Sequence, residues 1–154
     1  MEINPAILLK SQHHGNTERV AKAISEEFGI PILDPLEIPP EEALRFDLLL
    51  FASGIYFWNL HPDLLYFAKK LPPARGKAAA IISTAGLPSL RWHRNLRGIL
   101  KEKGFRILGE LSLPGYDTYG VLKFIGGIRR GRPGEEDLKK AKEFFAFIEK
   151  KWPS

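Results

Sequence analysis

Short, wholly apolar runs alternate with amphipathic stretches along the chain, and this alternation restricts the possible fold more than any other feature of the sequence. Strands buried on both faces read as continuous Ile, Leu, Phe and Ala runs, whereas the helices that cover them repeat their apolar residues every three to four positions. Residues 6–10, 31–33, 47–52, 77–83 and 105–112 read as five strands, most of them of this buried kind. Between and after them, residues 17–28, 63–70, 90–103 and 135–151 carry helical patterning. The first helix sets Val20, Ala21, Ile24 and Phe28 on one face, and the last sets Leu138, Ala141, Phe144, Phe145 and Ile148. Gly29 and Gly104 stand just past two helices, where a left-handed residue commonly ends the last turn. The alternation predicts a doubly wound α/β protein with three α/β/α layers. Right-handed crossovers leave few topologies for its five-stranded parallel sheet, and the order 2-1-3-4-5 is the expected one.

A chain of 154 residues fills one core and is short for two, so residues 1–154 are read as a single domain. Its apolar runs are too short for a membrane span, and residues 1–10 do not pattern as a signal peptide; a cytoplasmic protein with no membrane association is expected. The sequence contains no cysteine, which removes disulfides, thiolate metal sites and thiol nucleophiles together. Twelve prolines, a single glutamine (Gln12) and plentiful charge fit a thermostable protein. The formal charge of +5 permits an anionic partner. Nucleic acid is not expected, because the one dense basic cluster, Arg129, Arg130 and Arg132, lacks the interleaved aromatics of a single-strand binder.

Three loops at the carboxyl edge of the expected sheet carry the chemistry. The first runs through Ser11, Gln12, His13, His14, Gly15, Asn16 and Thr17, and every residue in it is polar or lacks a side chain. At the following helix N-terminus, unpaired N–H groups and the helix dipole favour a phosphate, with Gly15 allowing close approach and Ser11 and Thr17 offering hydroxyls. An ordinary cap by Asn16 or Thr17 is the competing account, and position at the topological switch point favours the anion site. Adjacent imidazoles rarely aim at one metal, so His13 and His14 read as neutralising a phosphate or shaping the backbone, and no metal is expected. The second loop, after strand three, contains Ser53, Gly54, Ile55, Tyr56, Phe57 and Trp58, three consecutive aromatic residues that suit a flat π-system. The third, Thr84, Ala85 and Gly86, is small enough for a backbone to pass close to a ring edge. A fourth stretch, from Pro114 to Gly120 and on to Gly126 and Gly127, ends the same edge as a pocket wall, a partner surface or a plain connection. Neither Gly-x-x-x-x-Gly-Lys-Ser nor Gly-x-Gly-x-x-Gly occurs, which argues against a nucleotide triphosphatase and against the usual dinucleotide mode.

With these loops in place the chain resembles the flavodoxins over its whole length. Gly15-Asn16-Thr17 resembles the end of the flavodoxin phosphate loop, with His14 where Thr is usual; Gly54-Ile55-Tyr56 resembles the second flavin loop, and Thr84-Ala85-Gly86 the third. The stretch from Gly115 to Leu138 resembles a flavodoxin-domain subgroup of bacteria and archaea. The resemblance implies one FMN held non-covalently at the carboxyl edge of the sheet, with Tyr56 stacking on its ring and Ser11, His13, His14, Gly15, Asn16, Thr17, Ser53, Gly54, Ile55, Phe57, Trp58, Thr84, Ala85 and Gly86 completing the cofactor site. Two departures stand out: Ser11 lies four residues before Gly15 rather than three, and Phe57 and Trp58 occupy a region where flavodoxins place a glycine. The expected function is electron transfer by a monomer or weak dimer, with no catalytic side chain and a redox protein partner. Flavodoxins are usually acidic, so a chain of charge +5 implies an acidic partner. Two alternatives are an FMN-dependent oxidoreductase acting on a quinone or porphyrinogen-like substrate, and a flavin-free interaction module. A low-molecular-weight phosphatase is excluded by the missing cysteine, and a response-regulator receiver by the absence of carboxylates in the loops after strands one and three.

Overall fold

The computed structural model describes residues 2–11, 15–115 and 131–152. Within them the elements run β1 (Pro5–Lys10), α1 (Asn16–Phe28), β2 (Ile32–Leu33), α2 (Pro40–Ala43), β3 (Leu48–Tyr56), β4 (Asn59–Leu60), α3 (Pro62–Lys70), β5 (Ala78–Ala85), a 3₁₀ turn (Leu90–His93), α4 (Arg94–Glu102), β6 (Arg106–Pro114) and α5 (Glu135–Lys151). The parallel strands lie in the order β2-β1-β3-β5-β6, and β4 pairs only with β3. Leaving out that short antiparallel β4, the order is the expected 2-1-3-4-5.

Strand alternation divides the core in two. Leu49, Phe51, Ala79 and Ile81 face a layer containing Phe67 of α3 and Leu96 and Leu100 of α4. Leu48, Leu50, Ala78, Ala80 and Ile82 face Val20 and Ile24 of α1 and Phe145 and Ile148 of α5. Each central strand is thus apolar on both faces because both faces are covered. Gly29, at φ 67°, ends α1 as the sequence indicated.

Three local expectations are corrected. The strands run further than their apolar runs: β3 reaches Tyr56, β5 reaches Ala85 and β6 reaches Pro114, because ladder pairing persists through Ser53–Ser83, Gly54–Thr84 and Ala85–Pro114, and β4 pairs with the last two residues of β3. The long aromatic loop after strand three is instead a hairpin, in which Tyr56 pairs with Asn59 and Ile55 with Leu60 around Phe57 and Trp58. The helix expected over residues 90–103 begins as a 3₁₀ turn, since Ser89 caps Arg91 N–H and the His93 side chain is anchored in the interior. Pro39 and Pro40 open the one-turn helix α2, with Pro40 in its first turn. None of the helices among the described residues is long and apolar enough to cross a membrane.

Candidate functional site

The parallel register brings the ends of four strands level. Lys10, Ser53, Ser83 and Ser112 form one row across β1, β3, β5 and β6, and Gly54, Thr84 and Leu113 form the next. The described parts of the three loops singled out in the sequence therefore meet at this rim. His13 and His14, together with residues 116–130 of the fourth stretch, lie outside the described residues.

At the first loop, Gly15 adopts φ 61° and ψ 28° immediately before α1, and open space lies where a side chain would project. As the N-cap of α1, Gly15 brings no side-chain cap. At the start of the same loop, Ser11 Oγ is buried and has no hydrogen-bond partner among the described residues. A buried hydroxyl left in this state costs about 1–3 kcal/mol, a cost that a bound water or a ligand able to accept from it removes. Thr17 is fully buried, and its hydroxyl meets that of Thr84 at 2.8 Å, tying the first loop to the third. Only one of those two hydroxyls can donate to the other, which leaves one proton for a further acceptor. Asn16 sits against Gly115, where an added Cβ would come within 2.8 Å of its Nδ2, and Gly115 N–H donates to the Ala85 carbonyl at 2.9 Å.

Alternation places Gly54 and Tyr56 on the same face of the sheet as Thr84, the face covered by α1. The Tyr56 ring folds back over Gly54; a Cβ there would lie 2.8 Å from Tyr56 Oη, so only glycine lets the ring settle against the strand. The far side of this environment is held by His61, whose ring meets Tyr56 edge-on at 5.1 Å. His61 Nδ1 accepts from Asp63 N–H at 3.0 Å and so caps α3; burial lowers its pKa, partly opposed by Asp63 and reinforced by Lys10. Ser53 is committed inside the hairpin, its hydroxyl donating to the Gly54 carbonyl at 2.6 Å and accepting from His61 N–H at 2.9 Å. Ile55 packs on the α3/α4 core, Ala85 is half-buried, and Gly86 is buried beyond it.

Phe57 and Trp58 form the two-residue hairpin turn with φ of 51° and 65°. Such turns prefer Asn-Gly, because a left-handed backbone costs a bulky residue about 1–2 kcal/mol. Both rings nevertheless stand out from the rim, and Trp58 packs on Trp92 with ring centroids 5.0 Å apart. The sequence marked the aromatic cluster but held no turn signal for it.

A second cluster has no signature in the sequence. Ser83 Oγ lies 2.7 Å from His93 Nε2, and His93 Nδ1 lies 2.9 Å from Glu110 Oε1. Arg97 grips the same carboxylate at 2.7 and 2.8 Å. Burial pushes the Glu110 carboxyl up, but hydrogen bonds from His93 and Arg97 outweigh it and bring it down to about 2. The Ser-His-Glu order matches a nucleophilic triad, yet Ser83 and His93 are wholly buried and no substrate reaches them. The cluster instead pins the turn after β5 to β6, with Ser112 Oγ accepting from both Ser83 Oγ and Ser89 N–H. Among the described residues no cluster of His, Asp and Glu could hold a metal ion.

The fold is flavodoxin-like. It superposes on oxidised flavodoxin 1 of Bacillus cereus with a TM-score of 0.69 at 20% identity, covering 97% of this chain and 99% of that one. A Fusobacterium nucleatum flavodoxin variant, solved bound to flavin mononucleotide, gives 0.69 at 14% identity, covering 97% and 98%. No family model matches the sequence. The chain belongs to the family of the uncharacterized protein MJ0298 of Methanocaldococcus jannaschii, with which it is 46% identical over 140 residues, spanning 90% of this chain and 93% of that protein.

Proposed function

We propose that this protein binds one FMN non-covalently at the carboxyl edge of its sheet and exchanges electrons with an acidic redox protein. The observation that carries the proposal is the buried Ser11 hydroxyl, without a partner among the described residues, in the loop that leads into a helix whose N-cap, Gly15, brings no side-chain cap. A phosphate dianion supplies both the acceptor and the charge that this cradle lacks. Gly15 leaves room for it, and the Thr17–Thr84 hydroxyl pair offers a further proton at its flank. Tyr56, on the same face and with its ring against Gly54, is the residue to stack on an isoalloxazine ring; His14, by resemblance, adds its side chain at the phosphate. FMN supplies the redox chemistry when bound, and the protein sets its orientation and excludes water. The flavin-bearing Fusobacterium neighbour and the common fold support the same reading.

Titration of the flavin-free protein tests it. FMN is expected to bind with its fluorescence quenched, and riboflavin, which lacks the phosphate, to bind at least tenfold more weakly. Absence of FMN binding, or equal affinity for the two flavins, defeats the reading.

A further inference from the structure

An apolar tip with a basic margin stands beside the proposed flavin rim. Phe57 is 78% exposed and Trp58 67%, and Leu87, whose carbonyl accepts from Trp92 Nε1 at 2.8 Å, is 59% exposed. Trp58 rests on Trp92, so the turn after β5 and the hairpin turn make one continuous surface. Bulky rings are held outward on a left-handed turn that other residues would form with less strain, a conformational outlier of the kind that marks function. Arg91 and Arg94 flank Trp92 in sequence; both are exposed, and neither makes an ion pair among the described residues. Glu110, the acid bonded to this turn, is already committed to His93 and Arg97.

We infer that this tip is the docking surface for the acidic partner, with Phe57, Trp58, Leu87 and Trp92 forming the apolar centre and Arg91 and Arg94 pairing with carboxylates at its edge. Tryptophan and arginine at a compact apolar centre are the residues that dominate protein interfaces. A second copy of this chain fits poorly: an isologous contact would set the arginines of one molecule against those of the other. A membrane surface is disfavoured too, since the patch has a hairpin tip and two cations where interfacial anchors use a long amphipathic helix rich in Lys and Arg. The inference rests on the electron-transfer reading, because a partner seated here lies next to Tyr56 and so to the proposed ring.

Calorimetry measures binding of a small acidic iron–sulfur protein to both the flavin-free and the FMN-loaded protein, with basic cytochrome c as the opposite-charge probe and phosphatidylglycerol vesicles as the lipid probe. The acidic protein is expected to bind at low salt and to weaken as salt rises. Arg91→Glu with Arg94→Glu should weaken it at least tenfold while bound FMN keeps its absorbance. Phe57→Asn with Trp58→Gly installs the pair that the turn prefers, so the melting temperature should not fall while binding drops at least tenfold. Unchanged affinity in either variant, tighter binding of cytochrome c, adsorption to the vesicles, or a dimer dispersed by the Trp58 change overturns the inference. Failure of the flavin reading shows separately, as loss of FMN binding in a protein whose flavin-free form still takes the acidic probe.

Discussion

Ser11→Ala separates a ligand-binding hydroxyl from a structural one, because the two roles predict opposite signs. In the flavin-free protein Ser11 Oγ is buried without a partner among the described residues, so the folded state carries its desolvation cost with no return. Replacing the hydroxyl by a methyl-sized group removes that cost and should stabilise the flavin-free protein by about 1 kcal/mol, a rise of about 2–4 °C in melting temperature for a chain of this size. In the FMN complex the same change deletes a hydrogen bond to a charged phosphate, worth about 1.5–3 kcal/mol, or roughly ten- to a hundredfold in Kd. Riboflavin affinity should not change. Urea or thermal denaturation of the flavin-free variant measures the first effect, and fluorescence titration with each flavin the second. A variant less stable than the parent would show that the hydroxyl is already satisfied. Equal losses for FMN and riboflavin would show that it does not face the phosphate.

Two further outcomes follow from the interior. Glu110→Gln should cost about 3 kcal/mol at pH 7, from the drop of the carboxyl from 4.5 to about 2. Because folding lowers this acid's pKa, its contribution is complete above about pH 4.5 and fades as the pH falls towards 2, so the gap between parent and variant should narrow over that window; a gap constant with pH would refute the assignment. Gly109→Ala would place a Cβ 2.6 Å from Ile148 Cδ1 and 3.0 Å from Phe144 Cε1 in the packed face of α5, and should lower the urea midpoint by the equivalent of about 1–3 kcal/mol; an unchanged midpoint would mean that α5 shifts freely.

Much of the architecture was legible from composition along the chain. Apolar runs at β1, β3 and β5 can be satisfied only between two covering layers, and the α1 and α5 patterns named the residues that cover one of them, Val20, Ile24, Phe145 and Ile148. Crossover handedness then left the sheet order nearly forced. The polar first loop and the aromatic second loop were equally visible, since glycine, hydroxyl and ring residues gathered at strand ends fit no helix or strand pattern.

What the sequence alone determined, then, is periodic: burial repeats every second residue in a strand and about every third or fourth in a helix, so local pattern reports it. Tertiary contact decided the rest. Phe57 and Trp58 are poor turn formers, and the bend into a hairpin is accompanied by contacts distant in sequence, among them the stacking of Trp58 on Trp92, thirty-four positions away. Ser83, His93, Arg97 and Glu110 carry no shared spacing, and their meeting depends on β5, α4 and β6 being laid side by side. That Ser11 Oγ finds no partner among the described residues is likewise a property of its surroundings, because whether a buried hydroxyl is satisfied depends on which groups the whole fold brings within reach.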